Sequence, residues 1–182
     1  MIDERATMEY FAKLDGLVSR GTELYIFGGS AIGLLGAKVR TTIDIDVAAP
    51  FSRMNLQEFK AASEKLGMPV NPGAAYQGAF IELVGPARLS LPSPTENSLI
   101  VFRGMNLTVK TGAFAELVAS KLVRYSVKDM QDVQFLITEG RVKYDEVVAA
   151  VKRLSPVFRD DPLVKENLEN LKTDMMIWEA AK

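Results

Sequence analysis

The amino-acid sequence predicts an α/β (α+β) protein in which helices flank a mixed sheet of four or five strands and a helical part follows. Three observations predict this class. Short β-rich runs alternate with amphipathic helical patterns as far as residue 111, only helical patterns follow from residue 112, and 182 residues suffice for one such core. We therefore expect an α/β core over residues 1–111 and a helical part over residues 112–182 packed on it.

The composition excludes several kinds of chemistry. Charged residues make up 25% of the chain and the net charge is −1, so no overall positive field attracts nucleic acid. The chain has no cysteine and no histidine, which excludes disulfides, thiolate and imidazole metal sites and Ser-His-Asp hydrolysis. The N-terminus is too charged for a signal peptide and no apolar run approaches about 20 residues, so we expect a cytoplasmic protein.

Periodicity and turn residues place the elements in order. Residues 4–19 form a helix that ends at Gly21 and buries one apolar stripe: Met8, Phe11, Leu14, Leu17 and Val18. A second helix covers residues 55–66, with Leu56, Phe59 and Leu66 inward. Strands follow at 79–84, 98–102 and 105–109, the last two as a hairpin. Later helices cover 113–125, a segment ending at Gly140, 144–154, and about 162–178.

Residues 24–47 are the most informative stretch. An apolar strand over 24–27 ends at Gly28-Gly29-Ser30. The two glycines permit a sharp turn and leave no Cβ in the way of a ligand, and Ser30 can cap a short helix over residues 31–35. The exposed backbone amides of such a turn suit a phosphate group.

The next strand, over residues 43–47, alternates strictly. Ile43, Ile45 and Val47 face one side, and Asp44 and Asp46 face the other. Carboxylates about 6 to 7 Å apart on one strand face repel by roughly 2.5 kcal/mol at an effective dielectric constant near 20. Water can offset this repulsion on a solvated face, and Mg²⁺ offsets it better because it binds carboxylate and phosphate oxygens. Beside a phosphate-binding turn, the pair favours a metal site.

These residues resemble a known signature. Gly28-Gly29-Ser30 followed by Asp44-Ile45-Asp46 is similar to the pattern of the nucleotidyltransferase superfamily, whose fold is shared with DNA polymerase beta. Arg40-Thr41-Thr42 before the acids resembles the Arg-x-Thr-x-Asp-x-Asp form of the bacterial abortive-infection nucleotidyltransferase toxins and their uncharacterised relatives.

The resemblance implies roles for these residues. Asp44 and Asp46 would hold Mg²⁺ or Mn²⁺ and are the catalytic pair, while Gly28, Gly29 and Ser30 would bind the β- and γ-phosphates. Arg40 either binds phosphate or is a surface residue. Many members of the superfamily complete the metal site with a third carboxylate on a neighbouring strand, and Glu82 in the predicted strand 79–84 is the candidate. A solvent-facing glutamate on an edge strand explains Glu82 equally well.

A second stretch of resemblance lies in the helical part, where Glu116 to Leu122 and Lys128 to Val133 are similar to a family segment with an active-site lysine and aspartate. It implies that Lys121 is catalytic and binds the triphosphate, that Asp132 is also catalytic, and that Asp129 is a further metal ligand. Asp129 and Asp132 share a helix face, and Lys121 interrupts an apolar face, where a cation needs an anionic partner. An ion pair between two helices explains the same residues.

The implied activity is Mg²⁺-dependent transfer of a nucleoside monophosphate from a nucleoside triphosphate to a hydroxyl group of a transfer RNA, a protein or a small molecule. Two alternatives remain. One is a weak or inactive nucleotide-binding or regulatory module, and the other is a toxin-antitoxin component whose C-terminal helix binds a cognate antitoxin. The sequence lacks both Gly-x-Gly-x-x-Gly and the P-loop Gly-Lys-Ser/Thr pattern.

Overall fold

A computed structural model describes residues 1–37 and 41–180. These residues group into two compact units. The first comprises Met1–Leu89 and Glu96–Thr111, and the second comprises Ser90–Thr95 and Gly112–Lys182. The first unit contains a five-stranded mixed sheet with helices, so the predicted α/β class is confirmed. Within the described ranges, no helix combines the length and the apolar character that crossing a membrane requires.

The sheet has the strand order β3-β2-β1-β5-β4. Its strands are β1 (Thr22–Phe27), β2 (Asp44–Ala48), β3 (Phe80–Val84), β4 (Leu99–Arg103) and β5 (Leu107–Thr111). The central strand β1 runs antiparallel to β2 and parallel to β5. The outer pairs are β2 with β3, which is parallel, and β4 with β5, which is the predicted antiparallel hairpin.

The helices of the first unit are α1 (Glu4–Asp15), α2 (Gly28–Leu34) and α3 (Leu56–Lys65). Their buried apolar residues join one face of the sheet in a single cluster that includes Phe11 of α1, Phe59 of α3, and Ile26, Ile45 and Ile81 of the strands. The alternation of β2 therefore directs Asp44 and Asp46 to the opposite face of the sheet.

Two residues that the periodicity assigned to the core, Met8 and Leu56, are exposed, and so is Ile43, which the alternation placed on the same side as Ile45 and Val47. Met8 lies beside the stripe that α1 buries and is 37% exposed, and Leu56 is 43% exposed because it is the first residue of α3. Ile43 is 52% exposed. It precedes the first residue of β2, so its side chain does not follow the alternation of that strand.

The second unit consists of α4 (Phe114–Leu122), α5 (Val127–Gly140), α6 (Tyr144–Val151), α7 (Pro156–Arg159) and α8 (Pro162–Ala180). Helix α4 is the most buried of these, and its Glu116 carboxylate accepts hydrogen bonds from the Arg153 guanidinium at 3.0 and 3.1 Å. The short helix α7 was not predicted. Its proline at the first helical position is nevertheless a start signal.

Asp15 holds the turn between β4 and β5 against the end of α1. Its Oδ1 atom accepts hydrogen bonds from the backbone N–H groups of Asn106 and Leu107 at 2.8 and 2.7 Å, and Oδ2 accepts one from Met105 at 3.0 Å. Partial burial disfavours the charged carboxylate, but these three backbone donors outweigh that effect and hold the pKa of Asp15 below its ordinary value. The carboxylate thus accepts hydrogen bonds from three consecutive backbone N–H groups of this turn.

We expect Asp15→Ala to lower the free energy of unfolding by about 2 to 3 kcal/mol, because three backbone N–H groups lose a charged acceptor. Urea denaturation at pH 7 measures the change. Glu64→Ala, at an exposed position of α3, is the control and should stay within about 0.5 kcal/mol of the wild type. Equal effects of the two substitutions would show that the turn does not depend on Asp15.

Candidate active site

Strand β1 passes directly into helix α2 at Gly28. The predicted cap at Ser30 is wrong, because the helix begins two residues earlier and Ser30 lies inside its first turn. Gly28 permits this early start by adopting a φ of +68°. The Ser30 hydroxyl is buried and donates to the Phe27 carbonyl at 3.5 Å. No side chain in the described part of the chain caps the start of α2.

Gly28 lies against the carboxylate of Asp46. The antiparallel register pairs Phe27 with Asp46, so the next residue of the chain passes beside that side chain. A Cβ atom at Gly28 would overlap Oδ2 of Asp46. Two separate features, the positive φ and this close approach, therefore favour glycine at position 28.

Asp44, Asp46 and Glu82 form a carboxylate cluster. The parallel pairing of β2 and β3 sets Asp46 opposite Glu82, and Asp44 lies two residues away on the same face. Each residue offers one carboxylate oxygen, and these oxygens all lie within 4.8 Å of one another. The three residues are partly buried. An all-oxygen set of this kind fits Mg²⁺ or Mn²⁺, and the remaining exposure leaves coordination positions for water or phosphate.

Among the described residues, Thr42 and Arg88 contact this cluster, and neither was assigned a role from the sequence. The Thr42 hydroxyl donates to Oδ1 of Asp44 at 2.6 Å, and two backbone hydrogen bonds to Ile2 hold Thr42 in place. The Arg88 guanidinium forms an ion pair with Oε1 of Glu82. Thr42 had a sequence signal, the threonine of the Arg-x-Thr-x-Asp-x-Asp pattern, whereas Arg88 lies in an irregular connection with no pattern. Arg40 lies outside the described residues, so its role stays a prediction.

The second unit contains a buried ion-pair cluster. The Lys121 ammonium lies 3.1 Å from Oδ1 of Asp129 and 2.8 Å from Oδ2 of Asp132, and its side chain is 9% exposed. These three residues therefore form ion pairs that join α4 to α5. Triphosphate binding by Lys121 and a catalytic role for Asp132 remain predictions.

Asp129 also helps to cap the start of helix α5. Its two carboxylate oxygens accept five hydrogen bonds, from Lys121 Nζ, from Nε and Nη2 of Arg124, and from the N–H and hydroxyl of Ser126. Burial opposes ionisation, but these donors hold the pKa of Asp129 well below its usual range. Ser126 and Asp129 form a capping box, and the spacing Ser-x-x-Asp is the sequence signal that identifies it.

We expect Asp129→Asn to lower the free energy of unfolding by about 3 kcal/mol at pH 7, because it breaks a buried charged network. A lowered pKa in the folded state means that the stabilisation is complete above the unfolded pKa and is lost as the pH falls through the folded pKa. The effect of the substitution should therefore shrink below about pH 4.

Urea denaturation at pH 7 and pH 3 measures this difference. Glu139→Gln removes the same charge from an exposed position of the same helix and should have little effect at either pH. An Asp129→Asn effect that is equal at both pH values would contradict the assignment of the stabilisation to the ionised carboxylate.

Comparison with known proteins identifies the family. The chain matches the family described as "Nucleotidyltransferase of unknown function (DUF6036)" over residues 6–172. No curated protein and no solved structure matches it. The matched range includes the β1–α2 junction, the carboxylate cluster on β2 and β3, and the helices with the buried ion pairs. Because this match covers most of the 182 residues, the chain belongs to the DUF6036 family of nucleotidyltransferases.

Proposed function

We propose that the protein is a Mg²⁺- or Mn²⁺-dependent nucleotidyltransferase that transfers a nucleoside monophosphate from a nucleoside triphosphate to a hydroxyl group. Membership of the family supports the reaction class. The observation that carries the proposal is the carboxylate cluster, in which Asp44, Asp46 and Glu82 bring their oxygens within 4.8 Å of one another. The start of α2 adjoins this cluster at Gly28.

Asp44, Asp46 and Glu82 would hold the divalent metal. When bound, the metal neutralises triphosphate charge and stabilises the entering and leaving oxygens of an in-line displacement. In that displacement the acceptor oxygen forms a bond to the α-phosphorus, the bond from this phosphorus to the bridging oxygen breaks, and pyrophosphate leaves. The hydroxyl proton is released. The chain contains no histidine, and this chemistry depends on charge and positioning more than on a general base.

The first turn of α2 would bind the phosphates. The backbone N–H groups of a helix start attract anions, and no described side chain competes for those of Gly28, Gly29 and Ser30. Ser30 would contribute its N–H group, since its hydroxyl is buried. Arg40 is a further proposed phosphate contact.

In the second unit, Lys121 would bind the triphosphate and Asp132 would be catalytic, as the resemblance implies. The Lys121 ammonium has three N–H donors, and its contacts with two aspartates use two of them, so the third would serve the triphosphate. We do not include Asp129 among the metal ligands, because donors from Lys121, Arg124 and Ser126 already occupy both of its oxygens.

The acceptor belongs to one of three classes: a transfer RNA, a protein or a small molecule. We propose a toxin-like protein with a cognate antitoxin as the biological setting. Helix α8 supports this setting because it offers an apolar surface to a partner. Its Met176 and Ile177 are 67% and 58% exposed, whereas apolar residues of this kind are more often buried in a core.

We expect Mn²⁺ to bind the wild-type protein, and Asp44→Asn and Asp46→Asn each to weaken binding at least about ten-fold, because each removes one charged ligand. Isothermal titration with Mn²⁺, and then with each nucleoside triphosphate in Mg²⁺, measures both affinities. Glu96→Gln removes an exposed charge from the same unit and serves as the control. Unchanged Mn²⁺ affinity in both aspartate variants would overturn the metal assignment.

Release of pyrophosphate distinguishes a nucleotidyltransferase from a nucleotide-binding or regulatory module. Incubation of the protein with Mg²⁺, nucleoside triphosphates and each class of acceptor should release pyrophosphate and label one acceptor. Mg²⁺-dependent nucleotide binding without release, across all acceptor classes, would identify a nucleotide-binding or regulatory module instead.

Gly28→Ala should weaken Mn²⁺ binding at least about ten-fold, because its methyl group would displace the Asp46 carboxylate. Gly67→Ala is a matched control. Gly67 also has a positive φ, of +76°, but a Cβ there meets no atom within 4 Å. Both variants should lose stability of about 1 to 2 kcal/mol from backbone strain, as measured by urea denaturation. Only Gly28→Ala should lose metal affinity, and equal metal affinities would disprove the steric argument.

A further inference from the structure

Arg88 is held next to the carboxylate cluster by a tight turn. Its backbone N–H group donates to the Gly85 carbonyl at 3.1 Å, which closes the turn that follows β3. This turn brings the guanidinium back to Oε1 of Glu82, six residues earlier in the chain. Glu82 is the member of the cluster that lies on β3, so Arg88 reaches the site from the edge of the sheet.

The ion pair between Arg88 and Glu82 is easily broken. The Arg88 side chain is 74% exposed, and exposed ion pairs add little to stability because solvent screens them. A divalent metal bound to Glu82 would repel the guanidinium and share its carboxylate. A metal and Arg88 would therefore compete for the Glu82 carboxylate, which is paired with Arg88 in the structure.

The released guanidinium would lie close to the phosphates of a metal-bound triphosphate. Glu82, which Arg88 touches, has a carboxylate oxygen within 4.8 Å of those of Asp44 and Asp46. A metal held by these oxygens also binds phosphate oxygens. Guanidinium groups match phosphate geometry with two parallel hydrogen bonds, and a triphosphate keeps negative charge after one divalent metal has bound.

We propose that Arg88 is a displaceable cation: it holds Glu82 in the metal-free protein and binds the triphosphate once Glu82 binds the metal. The inference rests on the proposed function and adds a residue that recognises the triphosphate of the nucleotide. It gives Arg88 two opposite effects. Arg88 competes with the metal when no triphosphate is present, and it strengthens binding of the triphosphate when the metal is present.

The test uses the full chain, Mn²⁺ and inorganic tripolyphosphate, which presents the phosphates without a base or sugar. Isothermal titration gives the affinity for Mn²⁺ alone, and then for tripolyphosphate at saturating Mn²⁺. We expect Arg88→Gln to bind Mn²⁺ about three- to ten-fold more tightly and tripolyphosphate about ten-fold more weakly. In a Glu82→Gln background, Arg88→Gln should no longer change the Mn²⁺ affinity.

Arg53→Gln is the matched control. Arg53 is also 74% exposed and forms a comparable ion pair with Glu23, at 2.6 Å, in the same unit. It should change neither affinity. Arg88→Lys, which keeps the charge but not the two parallel hydrogen bonds, should restore the competition with Mn²⁺ and only part of the tripolyphosphate affinity.

The outcomes separate this inference from the proposed function. If Mn²⁺ binds the wild type and Asp44→Asn weakens that binding, the metal site stands. Unchanged Mn²⁺ or tripolyphosphate affinity in Arg88→Gln would then overturn the role of Arg88 alone. If the wild type binds no Mn²⁺, or binds it independently of Asp44, both fail.

Discussion

The parallel pairing of β2 with β3 is the constraint on which the site depends. It sets Asp46 opposite Glu82, and with Asp44 it holds three like charges within 4.8 Å of one another. On their other faces the same strands bury Ile45, Val47 and Ile81 in the core. A slip of one residue would turn the carboxylates into that core, so packing on one face fixes the register of the acids on the other. Packing in the core thereby holds the three carboxylates close to one another, as the proposed metal site needs.

The junction of β1 and α2 is built against this cluster. Gly28 turns the chain from strand to helix with a positive φ, and its missing Cβ leaves space for the Asp46 carboxylate. The glycine motif and the acidic motif, which are separate in the sequence, are therefore in contact. The start of a helix and a pair of carboxylates lie next to each other here, which supports the proposed binding of a metal-bound triphosphate.

The two clusters of charged residues differ in what they leave open. In the second unit, Lys121 satisfies Asp129 and Asp132, with Arg124 and Ser126 adding hydrogen bonds to Asp129. Those carboxylates are almost fully buried, where an unpaired charge is costly, so a complete set of partners is expected. The carboxylates of the first unit are partly exposed, and Arg88 forms an ion pair with Glu82 among them. The difference in exposure makes the first cluster suited to a ligand and the second to joining helices.

Local patterns in the sequence determined the class of fold and the place of Asp44 and Asp46 on one strand face. The apolar run before Gly28 and the alternation of β2 specify strands, and that alternation alone places Asp44 and Asp46 on one face. The capping box at Ser126 was also readable from spacing. These features involve neighbours in the chain, and local geometry is sufficient to define them.

The tertiary structure decided the rest. Glu82 joins the acids through strand pairing, Arg88 reaches Glu82 through a turn, and Asp46 meets Gly28 through an antiparallel register. It also left three apolar residues exposed: Met8 lies beside the stripe that α1 buries, Leu56 is the first residue of α3, and Ile43 precedes β2. Contacts between distant segments depend on register and packing, and a single sequence encodes these only through the fold as a whole.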